Sequence, residues 1–222
     1  MKLLDLFQKQ NKSKRIIKKM KQGKLVNIVC FGDSITWGHE LKSYITKKET
    51  KDNYPINLEK ILRNFYKNNN INVYNEGHDG WTAEKAIKNK NGLEYIISLN
   101  ADLIIVMFGI NEVISFPRVD IDVYKKSIDF IIKELNKTGV DILVLSPTPI
   151  HVMDKALVEY SKIVLDLAKS NKVYSLNMRN LLSDYINNNN LKKYQIIGID
   201  NVHFWSNKYK IISEILFKNF FI

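Results

Sequence analysis

A serine follows an apolar run in NIVCFGDSITWGHE, residues 27–40, where Asp33, Ser34 and Gly38 come within six residues of Gly32. A serine hydroxyl is a weak nucleophile at neutral pH. It needs an imidazole to take its proton and a carboxylate to fix the tautomer of that imidazole. Near the C-terminus, Asp200-Asn201-Val202-His203 carries both groups three residues apart, on a loop or a single helical turn. That spacing lets the carboxylate reach the far ring nitrogen, and the chain order Ser, Asp, His permits a triad. Attack on a carbonyl also creates an oxyanion, which needs fixed donors. Ser34 and Gly77 can offer backbone N–H groups, and Asn111 a side-chain amide.

These residues need elements that bring them together. Short β-branched runs at 24–31, 71–76, 101–109, 140–146 and 172–177 read as strands. The third is apolar without alternation, as a strand covered on both faces must be. Helical periodicity separates them at 55–67, 82–89 (resuming through 92–100), 121–137 and 154–170, and a last amphipathic helix spans about 207–220. Such alternation predicts right-handed crossovers and a five-stranded parallel sheet with helices on both faces, an α/β three-layer sandwich. In doubly wound sheets ligands bind beyond the carboxyl ends of the strands. The candidate residues follow three of those ends, with Asp200 and His203 just before the last helix. The Asn-rich patches 68–70 and 187–190 read as loop tips.

The 222 residues, 45% hydrophobic and 26% charged, suit one soluble globular domain. One cysteine, Cys30, excludes an internal disulfide framework and any multi-cysteine metal site, and it reads as a small core side chain. The net charge of +11 is uneven. Residues 1–24 hold nine Lys/Arg and one Asp, whereas the rest carries 25 basic and 22 acidic groups. The body is therefore not a nucleic-acid binder. Residues 1–23 read as a basic, helical leader with a solvated face, able to contact an acidic surface, and 24–222 as the domain. Lysines interrupt the leader throughout, unlike a secretory signal, and no apolar segment is long enough to span a membrane, so cytoplasm is the expected compartment.

GDSITWG, the turn at Gly77, GINE and DNVH fall in the order and rough spacing of the four blocks of the SGNH/GDSL hydrolases, which the chain resembles from about Lys24 to its end. The resemblance implies a flavodoxin-like sandwich hydrolysing esters with no metal or cofactor. Carried across, Ser34 is the nucleophile, Asp200 and His203 its partners, and Ser34, Gly77 and Asn111 the oxyanion donors. Glu112 departs from the family's usual aspartate, and its extra methylene is expected to perturb loop packing more than chemistry. Asp33 is expected to organise the turn, and His39, His78 and His151 to be solvated loop residues, with lining of the cleft the alternative for His78 beside Gly77. Of the aromatic residues after the blocks (Trp37, Trp81, Phe116, Phe204 and Trp205), Trp37 and Trp205 are the candidates for a substrate pocket.

The expected substrate is a small-molecule or glycan ester with a short acyl group such as acetyl. Lysophospholipase or thioesterase activity is the alternative within the family, and a catalytically silent binding module the alternative outside it. A phosphoacceptor or nucleotide binder on the same fold lacks support, because no acidic pair ends the first strand and no Gly-rich phosphate loop is present.

Overall fold

A computed structural model describes residues 13–40 and 42–222. Five strands form one parallel sheet: β1 (Val26–Gly32), β2 (Ile71–Gly77), β3 (Leu103–Met107), β4 (Asp141–Leu145) and β5 (Tyr174–Leu176). Their order is β2-β1-β3-β4-β5, all pairs parallel. The chain winds one way from β1 to β2 and the other way from β3 onward. With right-handed crossovers this places helices on both faces. The expected three-layer α/β architecture is observed. β1 and β3 are buried almost throughout, which explains their unbroken apolar sequence.

Helix α1 (Lys14–Lys21) precedes the sheet. The crossovers carry α2 (Tyr54–Tyr66), α3 (Ala83–Lys88), α4 (Leu93–Ser98), α5 (Ile121–Asn136) and α6 (Leu157–Ser170), and α7 (Met178–Asn188) and α8 (Lys210–Leu216) follow β5. α2, α7 and α8 pack as one group, and α3, α5 and α6 as another. The side chain of Asn53 caps α2, with Pro55 in the first turn where a missing N–H costs nothing. Helix α7 lies outside the sequence expectation. Asn177 caps it, and Met178, Leu182 and Ile186 recur every four residues on its buried face. The Asn patch at 187–190 runs from its last turn into its cap.

Helix α1 corrects the expectation of a solvated leader. Ile16 and Met20 are fully buried in the main core, and Ser13 both caps the helix and hydrogen-bonds Asp141 at the start of β4. Lys19 donates to Asp102 at 2.6 Å, and Arg15 lies 3.3 Å from Asp141. The basic residues of this stretch thus engage acids at the amino ends of β3 and β4, and packing begins before residue 24. Residues 1–12, the remainder of the expected leader, lie outside the described residues. No helix among the described residues is long and apolar enough to cross a membrane.

Register matters most for function. Gly32 pairs with Gly77 on one side and with Met107 on the other. The segments that follow β1, β2 and β3 therefore leave the sheet side by side at its carboxyl edge.

Candidate active site

Asp33 caps the helical turn Ser34–Trp37, its Oδ1 accepting the Ile35 N–H at 2.9 Å. This is the turn-organising role expected of it. Burial, reinforced by Glu112 and Asp79 and opposed by the Ile35 N–H, pushes its carboxyl up to about 8, so it is largely neutral at pH 7. Gly38 ends the turn at φ 88°, a conformation that favours glycine. The geometry fixes Ser34, only 2% exposed, at the floor of the carboxyl edge.

His203 arrives from the other end of the chain. Its Nε2 lies 2.8 Å from Ser34 Oγ, and its Nδ1 2.8 Å from Asp200 Oδ2. Asp200 Oδ1 accepts the backbone N–H groups of Val202 and His203 at 3.0 and 2.9 Å. Burial alone would raise the Asp200 carboxyl, but these donors and the His203 ring outweigh it and hold the group well below the usual carboxylate range. An ionised Asp200 fixes the proton on Nδ1 and leaves Nε2 free to accept the Ser34 hydroxyl. The local chain shape follows from an antiparallel bridge between Ile197 and Phe204, from the Gly198 N–H donated to His203 O at 2.7 Å, and from Asn201 at φ 67°. His151, expected as a solvated loop residue, is half-buried and donates its backbone N–H to Asn201 O at 2.9 Å, bracing the loop from the β4 side.

The blocks after β2 and β3 are tied to each other. Asn111 Nδ2 donates one hydrogen to Trp81 O at 2.8 Å, and the second meets no acceptor among the described residues. Glu112 is fully buried, and its Oε1 accepts the Ala83 N–H at the start of α3, 2.7 Å away. Burial raises its carboxyl to about 7 against the backbone N–H groups of Ala83, Glu112 and Gly109. Gly109, at φ 137°, makes the bend between β3 and Asn111. The longer acid thus serves as a tether between two blocks.

Gly77 requires a correction. Its N–H, expected to face the oxyanion, donates to Asn75 Oδ1 at 3.0 Å. The missing side chain has another purpose: a Cβ there would lie 2.0 Å from Trp37 N, so glycine is what lets β2 approach the serine turn. Gly80, in the same block, has φ 70°, and among the described residues no acceptor meets its N–H. The sequence signal was present, two glycines three apart, but it did not say which one packs against the serine turn.

His39 also departs from expectation. It is buried, its Nδ1 lies 3.1 Å from Asp79 Oδ1, and its ring stacks on His203 with centroids 4.3 Å apart. His78, half-buried, stacks on Trp81 at 3.7 Å and meets Phe31 edge-on. Donor atoms of His39, Asp79 and His203 fall within 4.8 Å of one another. Both ring nitrogens of His203 are already engaged by Ser34 and Asp200, so the cluster is two stacked imidazole–carboxylate pairs with no spare donor on His203.

Among the aromatic residues, Phe204 and Trp81 are core packing, and Phe116 is fully exposed. Trp37 is partly buried, 5.7 Å from His39. Trp205 donates Nε1–H to Tyr194 O at 2.9 Å. It borders Asp200 and His203 on one side and, on the other, an open cavity of about 530 Å³ with Glu40, Lys42, Asn207 and Lys208.

Comparison with known proteins agrees with this fold. The sequence profile of the GDSL-like Lipase/Acylhydrolase family matches residues 30–210. No curated protein sequence matches the chain. Among solved structures, the acetyl xylan esterase AlAXEase superposes with a TM-score of 0.72 at 20% identity, over 87% of this chain and 98% of that one. Axe2, an acetylxylan esterase from Geobacillus stearothermophilus, gives 0.73 at 19% identity, over 87% and 93%. A lipase/acylhydrolase from Enterococcus faecalis gives 0.71 at 16%, over 87% and 94%. At such identities the superpositions establish the shared fold, and the profile match, over more than half the chain, establishes the family. The chain belongs to the GDSL-like lipase/acylhydrolase family of carboxylic ester hydrolases.

Proposed function

We propose that the protein hydrolyses short-chain acyl esters, acetyl esters of carbohydrates foremost, through an acyl-enzyme on Ser34. The observation that carries this reading is the unbroken chain from Ser34 Oγ through His203 to Asp200, with 2.8 Å at each link. His203 takes the Ser34 proton as the hydroxyl attacks the carbonyl, then protonates the leaving alcohol. Water cleaves the acyl-enzyme with His203 again as base. The developing oxyanion is met by the Ser34 N–H, the free amide hydrogen of Asn111 and, in place of Gly77, the N–H of Gly80. The Ser34 N–H opens a helical turn and so has no partner within it.

The acetyl xylan esterases that share the fold support a short acyl group, and the cavity beside the triad supports a polar alcohol. Trp205 joins the triad to a cavity edged by Lys42, Asn207 and Lys208, where a sugar could lie against the indole and hydrogen-bond the polar rim. Trp37 is the second pocket candidate.

A fluorophosphonate probe tests the nucleophile. Stoichiometric labelling of the wild type, lost in Ser34→Ala, is expected, and an unlabelled but folded wild type would refute the assignment. A panel of p-nitrophenyl esters of increasing chain length, alongside acetylated xylo-oligosaccharides, tests the substrate. We expect kcat/KM to fall with chain length and Trp205→Ala to raise KM for the oligosaccharide but not for p-nitrophenyl acetate.

A further inference from the structure

Half of the large apolar side chains exposed among the described residues stand on four segments at the carboxyl edge of the sheet, residues 40–50, 115–120, 150–156 and 192–201, which together make up less than a fifth of the chain. Tyr44 and Ile45 follow the serine turn, Phe116 the turn that carries Asn111, and Val152 and Met153 the end of β4. Tyr194 and Ile199 lie just before Asp200. Ile45 is 87% exposed and Phe116 completely so. Each segment is fastened to the site. Tyr44 donates to Asp200 at 3.3 Å, the Ser115 N–H to Asn111 O at 3.1 Å, the His151 N–H to Asn201 O at 2.9 Å, and the Trp205 indole to Tyr194 O at 2.9 Å. Single apolar residues on a surface are ordinary, but here they gather around one opening.

The charges on the same segments are one-sided. Their acids are mostly occupied: Asp154 holds Arg179 at 2.8 Å and Lys193 at 3.0 Å, Asp120 caps α5, Glu49 accepts the amides of Asn53 and Asn75, and Asp200 serves His203. Only the carboxylate of Glu40 has no such partner among the described residues. Lys42, Lys47, Lys48, Arg118, Lys155 and Lys192 are all exposed, and none has a carboxylate within 4.0 Å among the described residues. Exposed apolar side chains interleaved with unpaired cations suit an anionic bilayer, whose headgroups take the cations while the apolar side chains enter the acyl boundary. A second copy of this chain suits them less, because a two-fold contact through the rim sets these cations against their own copies.

We propose that the mouth of the active site docks on an anionic lipid surface, with Ile45 and Phe116 as its foremost apolar contacts and the six unpaired cations against the headgroups. This goes beyond the ester that is cleaved: it concerns the surface on which the site opens. Docking needs no turnover, so the failure of one reading does not entail the failure of the other.

The test is co-sedimentation of the full chain with vesicles of phosphatidylcholine, alone or mixed with phosphatidylglycerol. Binding to the mixed vesicles should be roughly tenfold or more tighter than to the neutral ones and should weaken with added salt. The double variant Ile45→Ser, Phe116→Ser should lose roughly tenfold or more in binding, and Lys47→Gln, Lys48→Gln a similar factor. These side chains are exposed, so the variants should melt at the wild-type temperature and turn over p-nitrophenyl acetate as the wild type does. A folded wild type that ignores the mixed vesicles overturns the proposal, as does equal binding to both vesicles or undiminished binding by the apolar double variant. A wild type that leaves vesicles alone but dimerises, and that the apolar double variant returns to monomers, also overturns it by assigning the rim to a second copy. Should the apolar variant fail to fold, the lysine variant decides, with undiminished binding again the overturning result.

Discussion

Asp200 illustrates how much of the site rests on single atoms. One of its oxygens holds the backbone of its own loop and the other fixes the His203 tautomer. Replacing it by Asn puts a donor where only acceptors fit, and Nδ1 must then give up its proton. Asp200→Asn should lower kcat by about 10²–10⁴-fold with KM changed little, as measured on p-nitrophenyl acetate. The hydrogen bonds that depress the carboxyl also link it to stability. A folded-state value below the unfolded one means stability present above about pH 4 and lost as pH falls below it. The site-specific signature is that Asp200→Asn flattens this acid loss in a melting series.

Between elements, the Glu112 tether behaves in the opposite sense. Its folded value of about 7 lies above that of an exposed glutamate, so the folded state holds a proton that the unfolded chain releases. Its contribution to stability therefore declines as pH rises from about 4 to 7. Glu112→Gln keeps an acceptor for the Ala83 N–H and removes the charge. It should stabilise the protein at pH 8 by on the order of 1–3 kcal/mol and give no gain at pH 4; equal gains at both would show that burial of charge is not the cause. The two glycines after β2 separate in a similar test. Gly77→Ala drives a methyl into the Trp37 backbone and should strongly destabilise the fold. Gly80→Ala meets open space, so only its backbone conformation is strained, by about 1–2 kcal/mol, and its effect should be seen mainly in kcat.

Across the whole molecule, structure and chemistry occupy opposite edges of the sheet. Helix α1 closes the amino edge, contacting the starts of β3 and β4, while Ser34, Gly80 and Asn111 follow strands at the carboxyl edge. Met20→Ala should thus cost about 2–5 kcal/mol in denaturant melts and leave kcat and KM unchanged at temperatures where the protein stays folded. Removing residues 13–23 would take away two buried side chains and the Ser13 cap, so an intact protein after that deletion would contradict the packing of α1.

Strands were legible in the sequence because a doubly covered strand must be apolar along its length, and helices because one buried face imposes a period. The hydroxyl, imidazole and carboxylate that hydrogen bonds join at Ser34, His203 and Asp200 were legible because few residue types can form such a chain. Helix α7 was not read, since its buried residues are spread among polar Asn and Ser. Nor could local pattern tell a solvated lysine-rich helix from one whose apolar stripe is covered. Local periodicity sets the alternation of elements, and the reactive groups are written directly in the residue types. It takes packing across the fold to set Gly77 against Trp37, to leave the Gly80 N–H without an acceptor among the described residues, and to lay His39 against His203. Those relations join segments up to 164 residues apart, so no short stretch contains both partners.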